Sequence, residues 1–117
     1  MTTAELAKDF TEILKRGDHD GAAAKYNSDD IVSYEAMEGP TAVSRGKDAV
    51  RQKGETWGAN HEVHGVTVEG PYVNGDQFAI RFTMDLTRKA TGERITLDEV
   101  GVYTVRAGKI VEERFYY

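Results

Sequence analysis

The chain has 117 residues, of which 39 % are hydrophobic and 30 % charged, and this composition predicts one soluble domain spanning residues 1–117. Twenty acidic against 15 basic residues give a net charge of −5, so the surface should repel nucleic acid and anionic membranes. There is no cysteine, which excludes disulfide bonds, thiolate metal sites and a cysteine nucleophile.

The N-terminal segment is not typical of a signal peptide. Charged residues interrupt its apolar positions, and no later apolar run approaches the roughly 18 residues of a membrane span. We therefore expect a cytoplasmic protein with no membrane partner.

Two helices are predicted at the start of the chain. Apolar side chains recur at the spacing of one helical face within residues 3–16, and charged residues lie between them. Thr2 and Glu5 fit a capping box at the start of this helix, and Gly17 fits its end. A short second helix follows and is expected to end near Asn27.

The next part of the chain is predicted to hold a strand and a third helix. Residues 31–37 favour a strand that ends at the Gly39-Pro40 pair. A helix is expected from Gly46 to about Ala59, although Gly54 weakens it.

From residue 62 onward the sequence alternates between apolar and polar side chains. Strands are predicted at 62–73, 78–87, 94–106 and 109–117, joined by turns that each contain a glycine. Strands of eleven to thirteen residues, about 40 Å long, should twist enough to curl the sheet. We therefore predict an α+β fold, a curved antiparallel sheet packed against three helices and enclosing a pocket.

Several segments resemble nuclear transport factor 2-like proteins, a group that includes SnoaL-like polyketide cyclases and ketosteroid isomerase. Residues 35–40 (EAMEGP) and 98–101 (DEVG) are similar to a SnoaL-like subgroup. The resemblance covers nearly the whole chain and implies a cone-shaped α+β roll. Its other segments are 17–21 (GDHDG), 28–32 (SDDIV), 45–50 (RGKDAV) and 107–111 (AGKIV).

The comparison with ketosteroid isomerase also implies site residues. Glu35 falls where that enzyme has its proton-abstracting aspartate. The isomerase's two hydrogen-bond donors, a tyrosine and an aspartic acid, correspond to Phe10 and Gly101, which have no donor side chain. Glu99, two residues before Gly101, is a candidate to substitute for the second donor.

Alternation in the sheet also places Glu99 in the predicted pocket. If residues 78–86 point their apolar stripe inward, Glu99 and Tyr103 share the inward face of the next strand. Pattern alone leaves open which face of 31–37 is internal, so Glu35 depends on the resemblance. A carboxylate in an apolar hollow has a raised pKa and is a candidate general acid or base. The alternative is a structural, paired carboxylate.

Six further side chains are candidates for ligand contact. Trp57 could stack on a flat ligand, and Tyr103 or Tyr116 could donate to a carbonyl oxygen. Phe82 and Met84 would line the pocket. His64 is expected to share a face with Val66 and Val68, and its alternative is a hydrogen-bonded residue of the wall. Ordinary packing is the alternative for the other five.

No metal or cofactor is expected. A spacing of three puts His61 and His64 on opposite faces of a strand, and the sequence has no glycine loop typical of phosphate binding.

The outer sheet face is predicted to be half apolar, since Val100 and Val102 lie there beside Arg81 and Asp85. We expect a homodimer through this face, with a solvated sheet as the alternative.

Together these features favour a cofactor-independent isomerase, cyclase or lyase acting on a small, largely apolar carbonyl compound. Glu35 would be the base, and a tyrosine or Glu99 the proton donor. The alternative is a non-catalytic ligand-binding or dimerisation module of the same fold.

Overall fold

The computed structural model describes the whole chain, Met1–Tyr117, as three helices and one six-stranded sheet. The strands lie in the order β2-β1-β6-β5-β4-β3; β1 and β6 are parallel, and every other neighbouring pair is antiparallel. The predicted α+β fold is confirmed, with a mixed sheet. The elements are α1 (Thr3–Lys15), α2 (His19–Tyr26), β1 (Asn27–Tyr34), β2 (Val43–Arg45), α3 (Lys47–Asn60), β3 (His61–Asn74), β4 (Gln77–Arg88), β5 (Arg94–Arg106) and β6 (Lys109–Tyr116).

Helix α1 begins and ends as its sequence predicts. The Thr2 side chain accepts a hydrogen bond from the Glu5 amide, and the Glu5 side chain accepts one from the Thr2 amide. The helix stops before Gly17, whose φ of +82° suits a residue without a Cβ. Its buried face includes Leu6, which is fully covered by the sheet.

Strand β1 differs from the prediction at both ends. It starts at Asn27, directly after α2, and stops at Tyr34 rather than at residue 37. The Glu35 amide then donates to the Ala42 carbonyl at 2.8 Å, which turns the chain toward the short strand β2. Met37 therefore leaves the sheet and is 62 % exposed.

The meander of four long strands is confirmed. β3, β4, β5 and β6 pair in chain order, and Gly75, at φ +63°, lies in the first hairpin turn. The register shifts at three places, after Val63, after Glu69 and after Thr104. Each shift interrupts simple alternation of side chains along the strand.

Aromatic side chains fill much of the sheet's concave side. Tyr103 stacks on Phe78, with 4.9 Å between ring centroids, and Phe10 of α1 meets Tyr103 edge-on at 5.1 Å. All three are at least 95 % buried. The core thus joins the first helix to the neighbouring strands β4 and β5.

Gly101 lies where this core is tightest. A Cβ built there would be 2.9 Å from the Tyr103 hydroxyl oxygen and 3.1 Å from the Phe115 ring. We expect Gly101→Ala to lower the free energy of unfolding by about 1 to 3 kcal/mol, because both rings would have to shift. Urea unfolding of the purified variant measures this.

Gly54→Ala is the matched control. Gly54 lies inside α3 with open space around its Cβ position. This substitution should stabilise the protein by up to about 1 kcal/mol because alanine favours helix. Equal effects at the two glycines would contradict the packing described here.

None of the three helices has the length and apolar character needed to cross a bilayer.

Candidate functional site

Three glutamates converge on the concave side of the sheet. Glu35 directly follows β1, Glu99 belongs to β5, and Glu113 belongs to β6. Glu113 pairs across the strands with the buried Tyr103, which places both on the inner face. The internal face of β1 is also resolved, since Ile31 and Ser33 are fully buried.

Glu35 is held by an ion pair. The Lys53 Nζ donates to Glu35 Oε1 at 2.8 Å, and the two side chains are only 12 % and 20 % exposed. The same ammonium contacts the Ser33 hydroxyl oxygen. On the other side, the Tyr117 hydroxyl donates to Glu35 Oε2 at 2.9 Å. Both Glu35 oxygens therefore have a donor.

Glu99, unlike Glu35, makes no hydrogen bond and no ion pair within the protein. Burial, and to a smaller extent the nearby Glu35 charge, raise its pKa to about 7, and Lys53 only partly opposes them. A substantial fraction of Glu99 is therefore protonated near neutral pH.

Glu113 also retains its proton more readily than an exposed glutamate. Burial is the main cause of its raised pKa, and Glu35 adds to it. A hydrogen bond with Ser33 and the charge of Lys53 work in the other direction.

Tyr103 supplies a free hydroxyl beside these acids. The residue is 3 % exposed, yet its hydroxyl has no partner in the protein. No fully buried side-chain polar atom lacks a hydrogen bond, so this oxygen must touch open space. Burial raises the Tyr103 pKa well above its usual range, and Glu113, Glu99 and Glu35 raise it further. The phenol stays protonated and can donate.

The Tyr103 hydroxyl fits beside position 101 because that residue is a glycine. The Tyr103 oxygen lies 2.9 Å from the place a Cβ of Gly101 would take. Phe10, the other position without a donor, packs edge-on against the Tyr103 ring. The Tyr103 hydroxyl thus lies next to Gly101, and the Tyr103 ring contacts Phe10.

Two predicted contact residues lie on the outer face instead. His64 was expected beside Val66 and Val68, but its ring nitrogen bonds the Thr87 hydroxyl at 2.8 Å and the residue is exposed. The register shift between Val63 and Gly65 adds a residue to β3 and turns His64 outward.

Tyr116, which was expected to donate a hydrogen bond to a ligand, lies on the outer face as well. It pairs with Val100 on the outer face and is 53 % exposed, whereas Tyr117 turns inward to Glu35.

Trp57 lies one turn after Lys53 on the same side of α3. Its ring stacks on His61 at 4.4 Å, and its carbonyl contacts the His61 Nδ1 at 2.7 Å. The half-buried indole therefore already has an aromatic partner.

Phe82 separates the acids from a small depression. In the sheet register, Phe82 lies between Glu99 on β5 and Val68 on β3. Met84, partly buried, is next along β4 and pairs with Val66. The depression has a volume of about 180 Å³, less than the roughly 300 to 1,000 Å³ typical of drug-sized ligand sites. It is lined by Leu14, Lys15, Gly17, His19, Val66 and Val68.

The sequence prediction missed Lys53, Glu113 and Tyr117. Lys53 could have been found from its position three residues after buried Val50 on α3. Glu113 and Tyr117 share the face of Phe115, which alternation reveals once one inward residue of β6 is known. The three carboxylates do not form a group able to hold a metal ion.

Comparisons with other proteins identify the family. The whole chain, residues 1–117, matches the family described as SnoaL-like domain. The crystal structure of a candidate SnoaL-like polyketide cyclase from Mesorhizobium loti is 74 % identical, covers 100 % of both chains and superposes with a TM-score of 0.98. No curated protein matches the chain.

More distant structures share the fold alone. A nuclear transport factor 2-like protein from Burkholderia thailandensis is 22 % identical over 99 % of this chain and 90 % of its own, with a TM-score of 0.82. A protein with a ketosteroid isomerase-like fold from Catenulispora acidiphila, in complex with trimethylamine, is 19 % identical over 84 % and 73 %, with a TM-score of 0.70. The chain therefore belongs to the SnoaL-like domain family.

Proposed function

We propose that the protein is a cofactor-independent isomerase, cyclase or lyase that moves a proton on a small, largely apolar carbonyl compound. The observation that carries this proposal is that neighbouring acidic groups have very different surroundings. Glu35 is ion-paired with Lys53, whereas Glu99 has a pKa of about 7 and Tyr103 presents a free hydroxyl. Titratable groups with such different environments supply a base and an acid together.

In the proposed mechanism Glu35 takes a proton from the carbon next to the carbonyl group. The electron pair of the broken C–H bond moves toward the carbonyl oxygen, where negative charge develops. Tyr103 or protonated Glu99 donates a hydrogen bond to that oxygen. Glu35 then returns the proton to another carbon atom of the substrate. For this, the Glu35 oxygens must exchange their contacts with Lys53 and Tyr117 for the substrate.

The related structures support small-molecule binding without fixing the substrate. The Mesorhizobium loti protein is similar along its whole length and is described as a candidate polyketide cyclase. The Catenulispora acidiphila protein, which shares the fold, was crystallised with a small amine. A polyketide is one class of carbonyl compound that the proposed mechanism accommodates.

A non-catalytic binding module is the second candidate, and one observation favours it. The two Glu35 oxygens are already engaged by Lys53 and Tyr117. Under this reading a ligand would bind and leave unchanged.

Glu35→Gln separates the two candidates. If Glu35 is the base, turnover of a carbonyl substrate should fall by about 10²- to 10⁴-fold, because an amide cannot accept the proton. A binding module would show only a change in affinity. Substrate depletion and binding are measured on the same preparation.

Glu38→Gln is the matched control, because Glu38 is exposed three residues along the chain. It should leave turnover unchanged. Full turnover by a folded Glu35→Gln protein would refute the role of Glu35 as base.

We also propose a homodimer through the outer sheet face. Val100 and Val102 are only half exposed there, and exposed ion pairs join Arg81 to Asp98 and Arg94 to Asp85 at 2.8 and 2.7 Å. Light scattering after size exclusion tests this, and a monomer at high micromolar concentration would contradict it. The cytoplasmic location and the single domain over 1–117 stay predictions.

A further inference from the structure

The acidic cluster contains more carboxylates than cations. Lys53 is paired with Glu35 at 2.8 Å, and no basic side chain lies within 4 Å of Glu99 or Glu113. The surplus is two carboxylates on the concave face of the sheet. The groups around these carboxylates define which chemical group fits between them.

Lys53 shows how this site holds an ammonium group. Its Nζ contacts the Glu35 carboxylate and the Ser33 hydroxyl, and it lies 5.3 Å from the centroid of the Phe115 ring. A carboxylate, an oxygen acceptor and an aromatic face are together the usual partners of an organic cation.

Next to the Lys53 ammonium lies a second group of carboxylates, an oxygen acceptor and an aromatic ring, and this group has no cation. Glu99 and Glu113 supply carboxylates, and the Tyr103 hydroxyl oxygen supplies an acceptor. Tyr103 is 3 % exposed, lacks any hydrogen-bond partner and reaches open space among the acids. Its ring meets that of Phe115 edge-on at 6.2 Å, so the aromatic ring that Lys53 contacts also borders this second group.

We propose that the ligand of this site carries a protonated amine, which Glu99 and Glu113 bind beside the Tyr103 hydroxyl and the Phe115 ring. This inference rests on the proposed function, because it takes the acidic cluster to be the place where a small molecule binds. It narrows the substrate class to small carbonyl compounds with an alkylammonium group, and it disfavours anionic ligands. Tyr103 is then the donor to the carbonyl oxygen.

Binding of such a cation must be linked to pH. A cation interacts best with ionised carboxylates, so it should bind more tightly as Glu99 loses its proton near pH 7. The groups that face Glu99 are Glu35 after β1, Lys53 on α3, Glu113 on β6, and Tyr103 and Tyr117. Lys53 alone among these opposes a second cation.

The experiment titrates carbon-13-labelled protein with trimethylammonium chloride at pH 6 and pH 8 and follows the side-chain signals of Glu99 and Tyr103. Neutral tert-butanol is the probe of similar size, acetone is the neutral carbonyl probe, and sodium chloride controls for ionic strength. We expect saturable shifts with trimethylammonium and roughly threefold or greater tightening from pH 6 to pH 8. Glu99→Gln should weaken binding at pH 8 by about tenfold, which corresponds to about 1.4 kcal/mol.

Glu69→Gln, on the exposed outer face, is the matched variant and should bind like the natural protein. If acetone or tert-butanol binds at Tyr103 and trimethylammonium does not, the amine proposal is overturned while the ligand site stands. If trimethylammonium binds equally to Glu99→Gln, or equally at both pH values, the proposal is also overturned. If no probe shifts these signals, the proposed ligand site falls with it.

Discussion

Replacing Lys53 with methionine is expected to lower the free energy of unfolding by about 2 to 4 kcal/mol at pH 8. The substitution keeps the apolar stem but leaves Glu35 without its cation among two other carboxylates. The loss should be smaller at pH 5, because protonation of Glu99 and Glu113, whose pKa values are raised by burial, removes their repulsion of Glu35. Urea unfolding at the two pH values measures both effects.

Arg51→Met is the control on the same helix. Arg51 is 62 % exposed, and its contacts with Asp48 and Glu55 are long, at 3.8 and 4.0 Å. Its replacement should change stability by less than about 0.5 kcal/mol. Adding Glu35→Gln to Lys53→Met should restore part of the lost stability, and the absence of any such coupling would contradict the buried ion pair.

Glu99→Gln is expected to stabilise the protein at high pH. The folded protein keeps the Glu99 proton up to a pKa of about 7, whereas the unfolded chain loses it near the ordinary value of 4.5. Between these values the folded state binds more protons, so stability falls as pH rises from about 4.5 to about 7 and then levels off. The amide does not titrate and avoids this loss.

The expected gain in stability follows from the rise of the Glu99 pKa from 4.5 to about 7. At pH 8 the variant should be more stable than the natural protein by about 3 kcal/mol, and near pH 4 the two should be nearly equal. Exposed Glu62 gives the control, since Glu62→Gln should move the whole curve by less than about 0.5 kcal/mol. Parallel pH curves for Glu99→Gln and the natural protein would show that Glu99 is not desolvated.

Much of the fold could be predicted because local patterns determine it. The capping box of Thr2 and Glu5 marks the start of α1, and alternation over 78–87 and 94–106 indicates two long paired strands. These signals depend on neighbouring residues alone. The mixed character of the sheet could not be predicted, because the parallel pairing of β1 with β6 joins distant parts of the chain.

Two candidate contact residues, His64 and Tyr116, point in a different direction from the one expected, for two different reasons. Alternation assumes a regular strand, and one extra residue in β3 turns His64 outward. Nothing in the sequence around His64 marks that shift. Tyr116 was placed without a fixed inward residue on β6, and its neighbour Tyr117 makes the contact with Glu35 instead.

The acids were predicted by different routes. Glu99 followed from alternation along β5, whereas Glu35 followed from the family resemblance, because β1 ends just before it. Lys53 belongs to helix α3, which lies between Glu35 and Glu99 in the sequence. The periodicity of the helix does not show which of its faces packs against the sheet. The balance of charge in the cluster therefore became evident only from the structure.

The proposed proton transfer depends on Glu35 and Glu99 sharing one desolvated space. A carbon-13 titration of the glutamate carboxyl groups tests this most directly, in the natural protein and in Glu35→Gln. We expect Glu99 to titrate near pH 7, and its pKa to fall when the Glu35 charge is removed. A Glu99 pKa near 4.5 that is unchanged in Glu35→Gln would contradict it.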